Sequence, residues 1–271
     1  SFAKRFESPV EHAEGDSAAR LQALVSPFVL RRVKEDVVAD LPEKIEDTVM
    51  AQLTGEQRKL YLANQDRIAQ QVQHREASEF KKDKLKVLAE LTKLRQICCD
   101  PRLHYEDYKA GSAKLDTCME LVHGALDGGH RILLFSQFTG MLDIIGKRLS
   151  KEDIAFLKLT GASSKESRAK MVAQFQAGEV PVFLISLKAG GVGLNLTAAD
   201  VVIHYDPWWN VAAQDQATDR AHRIGQQHTV TVYKLIAKDT IEERIMQMQE
   251  SKRDLVNSVP VSYTHLRAHE T

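Results

Sequence analysis

Residues 182–196 read VFLISLKAGGVGLNL, a short apolar run that leads directly into a glycine-rich loop. Similar apolar runs of strand length occur on both sides of it, at residues 131–136, 155–159, 201–205 and 229–237. Helical patterns separate them, which is typical of βαβ units and a parallel sheet. Because the runs are almost continuously apolar, we expect helices to cover both faces of this sheet.

Helix boundaries follow from capping residues between these runs. Ser163 with Glu166 forms the pattern of a capping box before one helix. Asn210 is the expected N-cap of the next helix, and Asp239 with Glu242 is expected to cap the last one. The alternation predicts an α/β domain whose ligands bind outside the carboxyl ends of the strands.

Four segments divide the 271 residues. Residues 1–52 are mixed and loop-rich, with too few periodic apolar positions to form a domain alone. Residues 53–110 carry two helical patterns, and residues 111–258 carry the α/β domain. Residues 259–271 have no periodicity and are expected to be unstructured. A non-native sequence scar is one explanation of this tail, and we leave it out of the interpretation.

Charge excludes one class of function. The chain has 37 basic and 37 acidic side chains, and this zero net charge excludes a uniformly basic nucleic-acid-binding protein. A local basic patch is compatible with it. One face of the second helical pattern is basic, and either a solvated face or a surface that faces nucleic acid explains it. The cations are Lys81, Lys82, Lys84, Lys86, Lys93 and Arg95.

Composition also bears on metal chemistry and compartment. Cys98, Cys99 and Cys118 are odd in number and form no C-x-x-C pair, so we expect neither a disulfide framework nor a metal site. No apolar run reaches the ~18 residues of a membrane helix, and the start of the chain has no signal-peptide core. We expect a cytosolic protein without membrane association. The absence of an initiator Met favours the C-terminal portion of a longer protein.

The glycine-rich loop is a candidate phosphate-binding element. Gly190, Gly191 and Gly193 let the backbone approach a ligand and aim N–H groups at phosphate oxygens. Lys188 adds a cation. The loop is neither a Rossmann fingerprint, because Leu196 stands where glycine is needed, nor a Walker A loop, because no Gly-Lys-Ser/Thr follows. A purely structural glycine turn is the alternative.

Residues 214–226, QDQATDRAHRIGQ, form the second candidate. Gln216, Arg220 and Arg223 are spaced i, i+4 and i+7, which predicts that they share one face of a helix ended by Gly225. Two arginines on one face suit phosphate binding. A surface helix with internal ion pairs explains the same residues.

The tryptophan pair is the third candidate. Trp208 and Trp209 follow the strand at residues 201–205. They could stack on bases. Alternatively, they wedge their loop against their own domain.

Six segments in order resemble the Swi/Snf-type branch of superfamily 2 helicases. They are PFVLRRVKEDVVADLPEK, LRQICCDPRL, ILLFSQFTGMLDII, LKLTGASSKESRAKMVAQFQ, LISLKAGGVGLNLTAADVVIHYDPWWN and QATDRAHRIGQ. The likeness covers nearly the whole chain up to about Ser258, and the last two segments are highly specific.

The resemblance implies two RecA-like lobes that clamp ATP and Mg²⁺ and move along double-stranded DNA. This chain is similar to the second lobe: a RecA-like parallel-sheet domain over residues 111–258, a helical connecting segment over residues 53–110, and the end of the first lobe with its linker over residues 1–52. The sequence contains no Gly-Lys-Thr phosphate loop and no Asp-Glu-x-His box. Mg²⁺ would therefore be held by the absent first lobe, and we expect no ATP hydrolysis by this fragment alone.

The same resemblance implies roles for individual residues. Arg223 would be the arginine finger and Arg220 its companion at the phosphates, so Arg223→Ala would keep ATP binding and lose DNA-stimulated hydrolysis. Gln216 would orient the helix, and Gly193 with Asn195 would line the nucleotide side. Salt-sensitive contacts to the DNA backbone would come from Ser136, Gln137, Thr160, Gly161, Ser186 and Lys188.

The expected partners are double-stranded DNA, the missing N-terminal lobe and, as a further candidate, a DNA-bound protein that the enzyme remodels. We expect chromosome association in the cytoplasm, or in the nucleus of a eukaryote. Two other functions stay open: a non-catalytic lobe that binds DNA or protein, and an RNA-directed superfamily 2 helicase. The presence of both Arg220 and Arg223 argues against the first. The Trp pair and the Asp-Arg-Ala-His-Arg-Ile-Gly-Gln form favour DNA translocation over the second.

Overall fold

A sheet of six parallel strands organises the described part of the chain. The computed structural model describes residues 41–73, 84–187, 189 and 193–258. The strands are β1 (Lys44–Ala51), β2 (Ile132–Ser136), β3 (Phe156–Leu159), β4 (Val182–Ser186), β5 (Val201–His204) and β6 (Val230–Ala237). Their order across the sheet is β1-β6-β5-β2-β4-β3, and every neighbouring pair is parallel. The predicted α/β class with a parallel sheet is confirmed.

Helices connect these strands within the described ranges. They are α1 (Gly55–Gln73), α2 (Lys84–Cys99), α3 (Ala113–Asp127), α4 (Thr139–Lys151), α5 (Lys165–Gln176), α6 (Val211–Thr218) and α7 (Ile241–Ser258), with a 3-10 turn at Pro101–Leu103. The two helices predicted between residues 53 and 110 are α1 and α2. The sheet and the sites described below lie in the unit Asp40–Met246, and residues 247–258 of α7 belong to a second unit.

Apolar residues pack on both faces of the sheet. Alternate residues of a strand point to opposite faces, so Leu134 and Leu184 join one cluster while Leu133 and Phe183 join another. Side chains of α3 and α4 complete the first cluster, and α5 contributes to the second. Strands β2, β4 and β5 are buried along their whole length. Burial on both faces explains their continuous apolar sequences.

Strand β1 is an element that the sequence analysis does not predict. Residues 1–52 are assigned there to the end of the first lobe and a linker, but Lys44–Ala51 pairs with β6 at the edge of the sheet. Lys234 on β6 lies 2.5 Å from the Glu46 carboxylate, and Lys44 lies 2.9 Å from it. Burial raises the pKa of Glu46, but the two ammonium groups outweigh it and bring the pKa down to about 2.

The starts of two helices differ from the expected caps. Ser164, not Ser163, caps α5, and its hydroxyl accepts the Ser167 N–H at 3.1 Å. The Ser163 hydroxyl accepts the Thr160 N–H instead, so it belongs to the turn after β3. Asn210 precedes α6 as predicted, but its side chain makes no capping hydrogen bond.

Glu242 is buried in an ion pair and does not cap the last helix. Its carboxylate lies 2.5 Å from the Lys114 ammonium, and both side chains are fully buried. It also accepts the Ala237 N–H at 2.8 Å. The capping hydroxyl is that of Thr240, which accepts the Glu242 N–H. Burial alone would lower the pKa of Lys114. The attraction of the Glu242 carboxylate opposes this effect and outweighs it, so the pKa of Lys114 is raised.

The three cysteines are buried thiols. Cys98, Cys99 and Cys118 are free, and burial raises the pKa of each thiol. Among the described residues, no group of three or more His, Cys, Asp or Glu is placed to hold a metal ion. Within the same ranges, no helix is both long and apolar enough to cross a membrane. Lys81, Lys82 and the tail 259–271 lie outside the described residues.

Candidate nucleotide and DNA sites

The two candidate phosphate-binding arginines lie in an irregular segment, residues 219–226, which we call the arginine turn. Helix α6 ends at Thr218, whose hydroxyl is 2.8 Å from the ring of a buried histidine of β5. The helix is therefore shorter than predicted. Gln216 is exposed on α6, whereas Arg220 and Arg223 follow it and do not share its face.

Neither Arg220 nor Arg223 forms a close ion pair with a carboxylate among the described residues, although the charge of the adjacent Asp219 acts on Arg220. Arg220 is half-buried, and its Nε is buried without a hydrogen-bond partner. Burial and the neighbouring Arg223 lower the pKa of Arg220. Arg223 is exposed. Two neighbouring guanidinium groups are suited to a multiply charged anion such as a phosphate chain.

The end of the glycine loop lies beside the arginine turn. The Leu196 N–H donates to the Arg220 carbonyl oxygen at 2.9 Å. Gly193 has a positive φ of 32°, which favours glycine, and both Gly193 and Asn195 are exposed. Residues 190–192 lie outside the described residues. The backbone contact therefore brings the predicted nucleotide-side residue Asn195 next to Arg220.

Gln226 holds the arginine turn, and the sequence analysis does not identify it as a site residue. Its side-chain oxygen accepts the next two backbone N–H groups in the chain, both at 2.9 Å. Its side-chain nitrogen lies 2.7–3.1 Å from the carbonyl oxygens of Thr197, Ala199 and Ala221. The buried amide ties the turn to the segment between the glycine loop and β5. No sequence periodicity could have found it, because its partners are backbone atoms brought together by the fold.

Five of the predicted DNA contacts lie at the carboxyl ends of three adjacent strands. Ser136 ends β2 and Gln137 follows it. Ser186 ends β4, and Thr160 and Gly161 follow β3. Because β4 lies between β2 and β3 in the sheet, the three strand ends share one edge.

The side chains at this edge differ in accessibility. Ser136 is fully buried and donates its hydroxyl to Asp206 at 2.5 Å. The Ser186 hydroxyl is buried as well but has no hydrogen-bond partner. Gly161 is exposed, with open space around it. Lys188, the sixth predicted contact, lies outside the described residues. The Ser136 hydroxyl thus makes a hydrogen bond within the protein, whereas the Ser186 hydroxyl makes none within the described residues.

The two tryptophans have different surroundings. Trp208 is partly buried and packs on the apolar cluster of one sheet face, which agrees with the wedge interpretation. Trp209 is 38% exposed, and its ring lies 5.5 Å from the Arg95 guanidinium. By its position in the sequence, Arg95 is predicted to lie on the basic face of α2, exposed either to solvent or to nucleic acid. That assignment is wrong for Arg95, because its side chain is only 3% exposed.

Two family descriptions match the chain in succession. The SNF2-related domain matches residues 1–103, and the helicase conserved C-terminal domain matches residues 113–225. The solved Sulfolobus solfataricus SWI2/SNF2 ATPase C-terminal domain is 34% identical; the match covers 82% of this chain and 91% of that chain, with a TM-score of 0.66. The chain belongs to the SWI2/SNF2 family of ATPases. The predicted family and the RecA-like fold of its second lobe are confirmed.

Other relatives are longer, and this chain matches only part of their length. The Sulfolobus solfataricus SWI2/SNF2 ATPase core in complex with dsDNA is 36% identical, with a TM-score of 0.69, and the match covers 96% of this chain and 55% of that one. An uncharacterised ATP-dependent helicase of Mycoplasma pneumoniae is 40% identical over 261 residues, which make up 95% of this chain and 25% of the relative. This chain thus spans about a quarter of the length of the Mycoplasma relative.

Proposed function

We propose that the chain is the second lobe of an ATP-dependent translocase that moves along double-stranded DNA and remodels nucleoprotein. The proposal is supported by the family and by the dsDNA complex of the Sulfolobus relative. The observation that carries it is the pair Arg220 and Arg223 beside the end of the glycine loop, where the buried Nε of Arg220 has no hydrogen-bond partner within the described residues. A lobe that only binds DNA or protein has no use for such a pair at this position.

In the proposed enzyme, Arg223 is the arginine finger at the γ-phosphate and Arg220 supports it. The buried Nε of Arg220 lacks a partner within the described chain. A buried donor of this kind is costly unless an acceptor completes it, and an anionic phosphate oxygen is such an acceptor. Asn195 and Gly193 line the nucleotide side, and Gln216 orients α6.

ATP binding in this proposal requires a partner lobe. The chain contributes cationic donors, but its sequence contains no Gly-Lys-Thr phosphate loop and no Asp-Glu-x-His box. The missing N-terminal lobe would supply the phosphate cradle and the ligands of Mg²⁺, whose positive charge assists phosphoryl transfer. We therefore expect the 271-residue chain alone not to hydrolyse ATP.

DNA binding in the proposed function is independent of sequence. The strand ends of β2, β3 and β4 would contact backbone phosphates through N–H groups, hydroxyls and the Lys188 cation. Two buried groups at this edge, the Ser186 hydroxyl and the Gln137 side-chain nitrogen, have no hydrogen-bond partner among the described residues. Buried polar groups normally have one, so these two support a ligand at the edge. Ser136 would act indirectly, by holding the backbone.

The test of the nucleotide role is Arg223→Ala in an enzyme that joins this chain to its nucleotide-binding lobe. We expect ATP binding, followed by titration of a fluorescent nucleotide, to be retained. DNA-stimulated hydrolysis should fall by ~10³ or more, the usual contribution of an arginine finger. Arg58→Ala is the matched control, because Arg58 is an exposed arginine of α1. Normal DNA-stimulated turnover by the Arg223 variant would refute the proposed role.

A further inference from the structure

Arg95 of α2 is a cation buried between α2, the start of α4 and the loop after β5. Its guanidinium lies 5.7 Å from the Phe138 ring and 5.5 Å from the Trp209 ring. It donates to the Pro207 carbonyl oxygen and lies 3.9 Å from the Asp206 carboxylate. Burying a guanidinium is costly unless its surroundings compensate for the lost water. These contacts offset part of that cost and anchor the loop after β5 to α2, although the Arg95 Nε has no hydrogen-bond partner within the described residues.

Asp206 extends this network to the end of β2. Its carboxylate is 1% exposed and accepts the Ser136 hydroxyl at 2.5 Å and the Gln137 N–H at 3.3 Å. The Ser136 oxygen in turn accepts the Phe138 N–H at 3.1 Å. These hydrogen bonds fix the backbone where the chain leaves β2. Gln137, which they hold, is a predicted phosphate contact whose side-chain nitrogen is buried without a partner.

We propose that Arg95 is a positioning residue for DNA binding. Through Asp206 and the Pro207 carbonyl, it holds Ser136 and Gln137 in the orientation that contacts the DNA backbone. This inference rests on the proposed DNA function of the strand ends. Arg95 is too deeply buried to reach a phosphate itself, so it acts through the Asp206 carboxylate and the Pro207 carbonyl oxygen. The helical connecting segment, which supplies Arg95 from α2, thereby becomes part of the DNA-binding machinery.

Duplex binding by the 271-residue chain, measured by fluorescence anisotropy at several salt concentrations, tests this role. Arg95→Met and Asp206→Asn should each weaken binding about tenfold, the equivalent of one or two neutral hydrogen bonds. The slope of log K against log salt should stay at the wild-type value, because no phosphate contact of a cation is lost. Lys147→Met is the control, since it removes a charge from an exposed position of α4 that is not among the predicted DNA contacts.

Hydrogen exchange separates positioning from a general loss of stability. The Gln137 and Phe138 amides should exchange faster in both variants, while the Leu134 amide within β2 keeps its wild-type rate. The Lys147 variant should change neither rate. If Arg95→Met does not fold, Asp206→Asn carries the same test.

Three outcomes would overturn the role of Arg95. They are wild-type duplex affinity in the variants, a uniform rise of exchange along β2, and a salt slope reduced by about 0.9, which would mean that Arg95 contacts a phosphate directly. A wild-type chain that binds no duplex would instead refute the DNA function. The exchange rates at Gln137 alone would then decide whether Arg95 positions this residue.

Discussion

His204, at the end of β5, links the sheet to the helix before the arginine turn through one buried ring. Its imidazole stacks on Phe135, with ring centroids 5.5 Å apart, and its Nε2 lies 2.8 Å from the Thr218 hydroxyl oxygen. Burial, assisted by the charge of Lys234, lowers the pKa of His204 to about 3. The folded protein therefore keeps this ring neutral near physiological pH.

We predict that His204 makes the stability of the protein fall as the pH falls below about 6.5. The unfolded chain protonates this ring near its ordinary pKa of 6.5, whereas the folded chain does so only near 3. Its contribution is thus fully present above pH 6.5 and is lost towards pH 3, by roughly 1 kcal/mol per pH unit. Urea unfolding of the wild type and His204→Gln at about pH 7.5, 6 and 5 measures it. A pH-independent difference between the two proteins would contradict the prediction.

At the scale of elements, the arginine turn depends on side chains that bind backbone atoms. Gln226 connects it to the segment before β5. The His222 ring nitrogen lies 2.7 Å from the Pro42 carbonyl oxygen, just before β1. The helix ends before the arginines, so these contacts act together with short backbone turns, such as Arg220 N–H to the Ala217 carbonyl oxygen at 3.2 Å, to hold Arg220 and Arg223. The proposed nucleotide role therefore requires the edge of the sheet to be assembled.

We expect Gln226→Ala to lower the free energy of unfolding by about 2 kcal/mol, because it leaves buried carbonyl and N–H groups without partners. In the complete enzyme it should also reduce DNA-stimulated ATP hydrolysis, since the arginine turn loses its support. Urea unfolding and an ATPase assay measure the two effects. Gln227→Ala, at an exposed neighbouring position, should change neither. If the Gln226 variant kept the wild-type free energy of unfolding and the wild-type rate of ATP hydrolysis, other contacts would have to hold the turn.

Strands β2 to β6 could be predicted from their apolar sequences, and the signal is strongest for strands that are buried along their whole length. Strands β2, β4 and β5 have continuous apolar sequences because helices cover them. Strand β1 reads KIEDTVMA and is mostly exposed, so its polar sequence carried no strand signal. Its assignment depends on pairing with β6, which no local pattern reveals. Helix α6 was predicted too long because its end depends on the contact between Thr218 and His204.

For the candidate site, motifs located the functional groups but not their surroundings. Arg95 is close in sequence to several lysines, and its burial follows from Phe138 and Trp209, which belong to other elements. The Ser136 hydroxyl is chemically suited to bind a phosphate, yet it donates its hydrogen bond to the Asp206 carboxylate. Such partners come from distant parts of the chain, so the sequence could predict the edge that carries the site but not the hydrogen bonds within it.

At the scale of the whole unit Asp40–Met246, a buried ion pair joins elements far apart in the sequence. Lys114 lies in the first turn of α3, and Glu242 lies in the first turn of α7. The Cys99 thiol at the end of α2 is 3.9 Å from Glu242, and the Lys114 ammonium is 5.3 Å from the Tyr205 ring. The connecting helices, the sheet and the last helix therefore meet at one charged contact.

Lys114→Met should destabilise the protein by about 3–5 kcal/mol, because it leaves a buried carboxylate without its partner. Adding Glu242→Leu should recover part of this loss, since the double variant buries no unpaired charge. Urea denaturation of the two variants measures both effects. Lys147→Met, at an exposed position of α4, should change stability by no more than about 0.5 kcal/mol. A double variant as unstable as Lys114→Met alone would show that the unpaired charge is not the cause.

The edge position of β1 has a consequence for biosynthesis. This strand leaves the ribosome before the other strands of the sheet, but its neighbour β6 is the last of them to be translated. Until β6 emerges, the nascent polypeptide presents unpaired edges on both β1 and β5, which are sites for aggregation. Helices α1 and α2 need only local contacts and can form in the meantime. A ribosome that pauses between β5 and β6 would therefore hold a chain in need of a chaperone.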